Sequence, residues 1–281
     1  MHTVSLPSPA KLNLFLHILG RREDGYHNLQ TVFQFIDFCD QLQFNLTTGD
    51  DVTITPSLMQ IPLRKNLIYR AAMLLKKETG YGGGVDIVLH KRLPFGAGIG
   101  GGSSNAATTL VALNKLWKLG LSQAQLLELG VQLGADVPIF IYGQTSWAEG
   151  IGNEFTPIVL PQPWYLLLMP KCHVTTAELF AALKGSKTDP LSIEHYKFGQ
   201  GRNDFEPIVR EQYPEVDEAM CWLEQYGEPR LTGTGAIVYM RFDTEQEAGR
   251  IAALTPDHIS SKVVRGLNKS PLIAALEEVS S

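Results

Sequence analysis

The sequence contains little cysteine and no long apolar run. Its three cysteines, Cys39, Cys172 and Cys221, lie far apart and form no C-x-x-C pair. An odd, scattered set favours a reducing compartment and argues against a zinc site or a disulfide framework. No stretch reaches the ~18 apolar residues of a membrane span, and residues 1–7 lack the basic start and apolar core of a signal peptide. We therefore expect a cytoplasmic protein without a membrane partner.

Positive charge is also scarce. The 281 residues carry a formal net charge of −5, and no long run of lysine or arginine occurs. Nucleic-acid binding normally leaves a basic footprint, so we expect no nucleic-acid partner. With 44% hydrophobic residues the chain has ordinary globular composition, enough for one large or two modest cores. Any phosphate that it binds must be held by local geometry rather than by bulk charge.

Strand-like and helix-like segments are mixed along the chain. Apolar patterns predict strands at 10–19, 29–37, 40–47, 52–55, 85–89, 164–169, 237–242 and 262–266, and a strand pair within 145–160. Residues 48–51 have the composition of a hairpin turn. Helical spacing and end signals predict helices at 66–79, 106–113, 122–133, 176–183, 205–212, 216–226 and 244–254. This order favours an α+β fold over a doubly wound parallel sheet.

Residues 94–107 are the most informative stretch. Five of the seven residues from Gly96 to Gly102 are glycine, and Ser103, Ser104 and Asn105 follow as candidate N-caps of a helix. Glycine lets backbone N–H groups approach a ligand closely, and a helix N-terminus adds free donors and the positive end of the helix dipole. A glycine loop that runs into a helix is therefore a predicted phosphate site.

Two familiar nucleotide motifs fit this loop poorly. Residues 96–101 match G-x-G-x-x-G, but a dinucleotide site needs an acidic residue about 20 positions later. No Asp or Glu occurs in residues 99–127, and G-K-[ST] is absent from the chain, which argues against a nicotinamide dehydrogenase and a Walker-type loop. A strand-to-helix turn without a ligand is the plain structural alternative.

Several other residues are candidates for chemistry. Lys11 lies in an apolar strand, where it is either on a solvated face or a cation placed at a site. Asp136, among small apolar residues, is either a helix cap or a carboxylate that needs a nearby cation. Lys11 could be that cation. Tyr26 and His27 follow a glycine turn and could form a stacking platform, and residues 231–236 form a second glycine segment before a strand.

Three motifs in this order resemble those of the GHMP kinase superfamily, named for galactokinase, homoserine kinase, mevalonate kinase and phosphomevalonate kinase. They are residues 7–14, 94–107 and 231–236. Residues 22–27 and 134–138 bring the resemblance closer to the branch that phosphorylates a cytidine diphosphate derivative of methylerythritol in isoprenoid synthesis. The resemblance implies an α+β fold of two domains with the site in the cleft between them. Residues 1–158 would bind ATP and carry catalysis, and residues 159–281 would contribute to substrate binding.

The same resemblance implies transfer of the γ-phosphoryl group of ATP to the 2-hydroxyl of that substrate. Asp136 would be the catalytic base and Lys11 its cationic partner. ATP would contact Asn66, Lys91, Pro94, Phe95, Gly96, Ala97, Gly98, Ile99, Gly100, Gly101, Gly102, Ser103 and Ser104. The substrate would contact Asn13, Tyr26, His27, Thr176 and Phe180, with Tyr26 and Phe180 stacking on cytosine. Mg²⁺ would come with ATP, with Ser103 or Ser104 as a hydroxyl ligand.

Two alternatives remain open on the same scaffold. One is a kinase for a different small alcohol, of the homoserine or mevalonate type. The other is a nucleotide-binding regulator that has lost catalysis, against which Lys11 and Asp136 argue. In either case we expect a monomer or a weak homodimer whose ligands are small molecules.

Overall fold

The computed structural model describes residues 3–56, 61–183 and 188–278. Its strands are β1 (Thr3–Arg21), β2 (His27–Thr47), β3 (Val52–Thr55), β4 (Gly84–His90), β5 (Ser146–Glu149), β6 (Glu154–Pro157), β7 (Trp164–Met169), β8 (Arg230–Leu231), β9 (Val238–Phe242) and β10 (Ser260–Leu267). Its α-helices are α1 (Leu67–Thr79), α2 (Gly101–Leu116), α3 (Gln123–Leu133), α4 (Val137–Tyr142), α5 (Thr176–Ala182), α6 (Glu206–Gln212), α7 (Pro214–Glu224), α8 (Glu245–Ala252) and α9 (Pro271–Glu278). This content confirms the predicted α+β class.

The strands within these residues form one ten-stranded sheet organised around β2. The antiparallel partner β1 runs along β2 for almost its whole length, with register shifts after Pro9, Asn13 and Ile18. Strands β4, β5 and β10 pair with successive parts of β2, and β10 continues through β7 to β9 and β8. The two halves of the chain are therefore joined by β-ladder hydrogen bonds.

Three clusters of buried apolar side chains pack on this sheet. The first lies among β2, β4, helices α1 to α4 and α9, and the second lies among β7, β9 and the helices of the second half. The third cluster lies between them and includes Leu93, Ala97 and Ile99 together with Leu167 and Tyr239. Because Ala97 and Ile99 are buried there, the glycine loop is anchored at the junction of the two halves.

Local sequence signals set several helix ends as predicted. Helix α1 begins after Asn66, whose side chain accepts a hydrogen bond from Ile68 N, and ends at Gly80 in the left-handed conformation. Helix α3 begins with a capping box between Ser122 and Gln125. Among the described helices, none is both long and apolar enough to cross a membrane.

The structure differs from the sequence expectations at several places. Residues 48–51 do not connect paired strands, because β3 pairs in parallel with β4 instead of folding back on β2. The two strands expected at 29–37 and 40–47 are one continuous strand, β2. Helix α9 was not predicted; its Leu272 is buried in the first cluster. The composition of residues 185–204, rich in Gly, Ser, Lys and Asp, also favours a surface excursion; residues 185–187 lie outside the described residues, and Leu191 exchanges two hydrogen bonds with the Gln30 side chain.

Candidate active site

A cleft of about 1280 Å³ lies between the glycine loop and the first helix of the second half. Its walls come from β1, the turn before β2, the start of α2, α5 and the second glycine segment. This volume is slightly above the usual range for a small-molecule site, about 300–1,000 Å³, so it has room for two ligands of nucleotide size.

The start of helix α2 differs from the sequence expectation. The N-cap is Gly100, at φ 73°, and no side chain caps the helix. Ser103, Ser104 and Asn105 therefore lie inside the first turns, and the expectation that one of them is the cap is wrong. A positive φ at Gly100 turns the chain sharply into the helix, which glycine permits at little cost. The first N–H groups of α2 have no intrahelical acceptor, so those of Gly101 and Gly102, which line the cleft, remain donors for an anion.

The glycine loop is held from both sides by backbone hydrogen bonds. The carbonyl of Ile99 accepts from Lys11 N at 3.2 Å, and the carbonyl of Ala97 accepts from Ile237 N at 3.3 Å. Gly98 packs directly on the second glycine segment: a Cβ added there would lie 2.3 Å from Thr232 O. Glycine is thus required at Gly98 by close backbone approach as well as by its φ of 78°.

Lys11 and Asp136 come together beside this loop, as the sequence suggested. The Lys11 side chain is 2% exposed, and its Nζ lies 3.4 Å from Asp136 Oδ2. The ammonium also donates to Asn13 Oδ1 at 2.6 Å and to the carbonyl of Gly98 at 3.1 Å. Asp136 is 41% exposed and faces the cleft. The buried member of the pair is thus the lysine, whose partners compensate its charge, and the carboxylate remains accessible to a ligand.

A second ion pair, between the half-buried Lys91 and the fully buried Asp40, lies close to the loop. Lys91 Nζ lies 2.6 Å from Asp40 Oδ2 and 5.0 Å from the centre of the Phe95 ring. The other oxygen of Asp40 accepts from the N–H groups of Arg92 and Leu93 at 2.7 and 2.8 Å. Burial lowers the pKa of Lys91, and its bond to Asp40 opposes that change. The Lys91 ammonium would be 3.3 Å from a Cβ at Gly101, so it lies close to the start of α2.

Aromatic side chains gather at the far end of the cleft. Tyr26 is 58% exposed, and the rings of His27 and Phe180 lie 5.1 Å apart at 33°. Phe180 also meets Phe205 edge-on at 4.8 Å. Burial, and then the charge of Arg21, lower the pKa of His27. The ring pair in this structure is therefore His27 with Phe180, and Tyr26 presents an uncovered ring beside it.

The structure brings most of the predicted site residues to one cleft. The lining includes Lys11, Asn13, Tyr26, His27, Gly96, Ala97, Gly98, Gly100, Gly101, Gly102, Ser103, Asp136, Thr176 and Phe180. The remaining predicted residues stand behind or beside it, namely Asn66, Lys91, Pro94, Phe95, Ile99 and Ser104. Ser104 is fully buried and its Oγ accepts from Ser8 Oγ at 2.8 Å, so of the two serines Ser103 faces the cleft.

Sequence reasoning overlooked other residues that line the cleft, among them Gly233, Thr234 and Arg21. Gly233 and Thr234 reach the cleft from the second glycine segment, and Thr234 Oγ1 lies 2.9 Å from Thr176 Oγ1. The glycine pattern of residues 231–236 pointed to this segment, but its place in the site depends on the contact between Gly233 and Gly98. Arg21 also lines the cleft, and nothing in its local sequence distinguished it from Arg22.

In the described part of the chain, no group of three or more His, Cys, Asp or Glu side chains could hold a metal ion.

Comparisons with known proteins agree with this geometry. Residues 66–144 match the family model described as GHMP kinases N terminal domain, and residues 179–253 match GHMP kinases C terminal. The chain is 51% identical to a 4-diphosphocytidyl-2-C-methyl-D-erythritol kinase of Marinomonas sp. strain MWYL1, over 99% of this chain and 92% of the relative. A relative of the same name from Pseudomonas aeruginosa strain LESB58 is 48% identical, over 98% of each chain.

A solved structure is similar over nearly the whole fold. The crystal structure of a 4-(cytidine 5'-diphospho)-2C-methyl-D-erythritol kinase aligns with a TM-score of 0.82 and 30% sequence identity, covering 94% of this chain and 99% of that one. A homoserine kinase from Cytophaga hutchinsonii aligns with a TM-score of 0.71 at 16% identity, covering 96% of each chain, which shows the shared fold alone.

Proposed function

Because the chain belongs to the GHMP kinase family, we propose that it transfers the γ-phosphoryl group of ATP to the 2-hydroxyl of 4-diphosphocytidyl-2-C-methyl-D-erythritol. The observation that carries the mechanism is the pairing of Lys11 and Asp136 beside an open helix N-terminus. Phosphoryl transfer depends mainly on positioning and on stabilising charge, and this arrangement supplies both.

Asp136 is the proposed base. Its carboxylate faces the cleft, and the Lys11 ammonium 3.4 Å from Oδ2 holds it in place, so it can accept the proton of an acceptor hydroxyl and become a neutral carboxylic acid. The Lys11 side chain lies between Asp136, Asn13 and the Gly98 carbonyl. From there its ammonium can offset negative charge that develops on the transferred group.

The glycine loop and the start of α2 are the proposed phosphate cradle. Gly101 and Gly102 line the cleft in the first turn of α2, where their N–H groups have no intrahelical acceptor, and the helix dipole adds a positive potential there. We place the adenine near Leu67, which lines the cleft next to Asn66, on the side where Lys91 and Phe95 support the loop. Mg²⁺ bound to the ATP phosphates would neutralise their charge, and Ser103, the one of the two serines that lines the cleft, would supply a hydroxyl ligand.

The aromatic end is the proposed cytidine site. Tyr26 offers an exposed ring, and the half-buried Phe180 lines the cleft next to His27. Stacking tolerates any base, so recognition of cytosine falls to hydrogen bonds at its edge, for which the neutral His27 ring provides one donor and one acceptor. Asn13 and Thr176 also line the cleft, Asn13 as the acceptor of the Lys11 ammonium and Thr176 beside Thr234.

Turnover by the purified protein tests the proposal. With ATP, Mg²⁺ and 4-diphosphocytidyl-2-C-methyl-D-erythritol, we expect formation of ADP and a new phosphate monoester signal by ³¹P NMR. Asp136→Asn should lose about 10²–10⁴-fold in kcat and still bind an ATP analogue, since only the base is removed. Turnover within tenfold of wild type would exclude Asp136 as the base.

Parallel assays decide between the alternatives. Homoserine and mevalonate should give no ADP formation above the rate without acceptor, because neither carries a base for the aromatic end to bind. Faster turnover of either would favour a different alcohol kinase. Absence of ADP formation with all three acceptors, despite binding of an ATP analogue, would favour a nucleotide-binding regulator.

A further inference from the structure

A buried amide from the second half of the chain holds the backbone on which the glycine loop rests. Asn203 is 5% exposed and precedes α6. Its Nδ2 donates to the carbonyls of Leu231 at 3.0 Å and Gly233 at 2.7 Å, and its Oδ1 accepts from Phe205 N at 3.0 Å. Both donor hydrogens and the acceptor are therefore used, and each bond ends on backbone.

Gly233 transmits this anchoring to the glycine loop. A Cβ added to Gly233 would lie 2.7 Å from the Gly98 carbonyl oxygen and 3.2 Å from Gly98 Cα, so the two backbones are in direct contact. The same Gly98 carbonyl accepts the Lys11 ammonium at 3.1 Å. Next to Gly233, the Thr232 hydroxyl accepts from Asn13 N at 2.9 Å. A shift of the 231–233 backbone would therefore move Gly98, Lys11 and Asn13 together.

We propose that Asn203 is a positioning residue for phosphoryl transfer: its amide fixes the Gly233 peptide, which fixes Gly98 and, through it, the Lys11 ammonium relative to Asp136. The proposal rests on the kinase function proposed above. Asn203 does not line the cleft, and the proposal gives it a role in setting the geometry of the phosphate site. The alternative is a purely structural role, in which Asn203 Oδ1 only accepts the hydrogen bond from Phe205 N before α6. The donor function and the acceptor function of the amide can be separated by substitution.

Two substitutions separate them. Asn203→Ala removes both functions of the amide, whereas Asn203→Asp keeps an oxygen for Phe205 N and removes both donors. The carboxylate would also face the Leu231 and Gly233 carbonyls, which repel it. Asn268→Ala is the matched control, because the Asn268 side-chain amide also bonds to backbone as both donor and acceptor. It donates to Leu160 O at 2.8 Å and accepts from Leu160 N at 3.0 Å. Neither Asn268 nor Leu160 lines the cleft.

The experiment combines turnover with amide hydrogen exchange, both well below the melting temperature of each variant. We expect both Asn203 variants to lose about 100-fold in kcat, since displacement of a reacting group by about 1 Å has that effect. The acceptor KM of Asn203→Asp should change less than threefold, and exchange should accelerate within residues 96–103. Asn268→Ala should keep wild-type kcat and wild-type exchange in that loop, even if it melts earlier.

Several outcomes would overturn the proposal. The first is a wild-type kcat in Asn203→Asp together with a reduced kcat in Asn203→Ala. The second is wild-type amide exchange of residues 96–103 in both Asn203 variants. The third is a loss of kcat in Asn268→Ala equal to that in the Asn203 variants. If Asn203→Ala does not fold, Asn203→Asp carries the test alone, with the same thresholds. If wild-type protein shows no turnover, the proposed function fails, and the exchange arm still decides whether Asn203 holds the loop.

Discussion

Replacement of Gly98 by alanine tests whether the glycine loop works through its backbone position. The Cβ of Gly98→Ala would lie 2.3 Å from Thr232 O and 2.9 Å from Gly235 O. Both are backbone atoms, so no side-chain rotation relieves the overlap. Ordinary contact begins near 3.4 Å, so the two backbone segments must separate by about 1 Å. Since Gly98 O holds the Lys11 ammonium, this separation displaces the cation from the reacting group.

We expect Gly98→Ala to lose about 100-fold in kcat, the effect of a misplacement of about 1 Å. The left-handed conformation adds about 1–2 kcal/mol of destabilisation for a residue with a Cβ. Gly80→Ala separates the two effects, because Gly80 also has a positive φ of 70° but has no atom within 4 Å of the added Cβ. That control should lose stability in urea denaturation and keep its turnover. Turnover of Gly98→Ala within threefold of wild type would refute the reasoning.

Three further predictions concern the cytidine end and the Lys91–Asp40 ion pair. Tyr26→Ala should raise the acceptor KM about 5- to 150-fold, the equivalent of ~1–3 kcal/mol of stacking, and leave the ATP KM unchanged; an unchanged acceptor KM in steady-state assays would exclude the platform. Because burial lowers the pKa of His27, its ring stays neutral at pH 7, and we expect the acceptor KM to rise only below about pH 6.5. A rise centred above pH 7, or the same profile in His27→Gln, would contradict this assignment. Lys91→Ala should lower the free energy of unfolding by about 3–5 kcal/mol, because it leaves the fully buried Asp40 without its cation. Arg22→Ala, at the exposed pair with Asp24, should lower the free energy of unfolding by less than about 1 kcal/mol. Equal losses in urea titrations of these two variants would refute the distinction.

Local signals predicted much of the fold because their physics is local. The Asn66 cap, the Gly80 stop and the Ser122 capping box each act within a few residues of the helix end that they determine. The start of α2 was misjudged because a serine is the usual cap, whereas here the positive φ of Gly100 begins the helix. A signal for α9 was present: Pro271 stands at its first position, and Ser270 Oγ accepts from Leu272 N.

Long-range pairing explains what the sequence left open. Parallel pairing of β3 with β4 depends on register and not on the turn that precedes β3. The cost of an unpaired buried charge made Lys11 a candidate partner of Asp136, but their contact depends on the fold, and the buried member of the pair is Lys11 and not Asp136. The role of residues 231–236 needed the contact between Gly98 and Gly233. The domain division at residue 158 and the roles of individual site residues remain predictions.

The position of β10 and α9 has a consequence for synthesis on the ribosome. Both elements lie more than 200 residues after β2 begins, yet β10 pairs with β2 at Ile36 and Phe35, and α9 packs against β1. A nascent chain that has exposed only its first half therefore presents an unfinished sheet and an uncovered apolar face. Pairing at such sequence separation forms slowly, and open edges of this kind promote aggregation. The first half can complete its own core only after residues 260–278 have been synthesised.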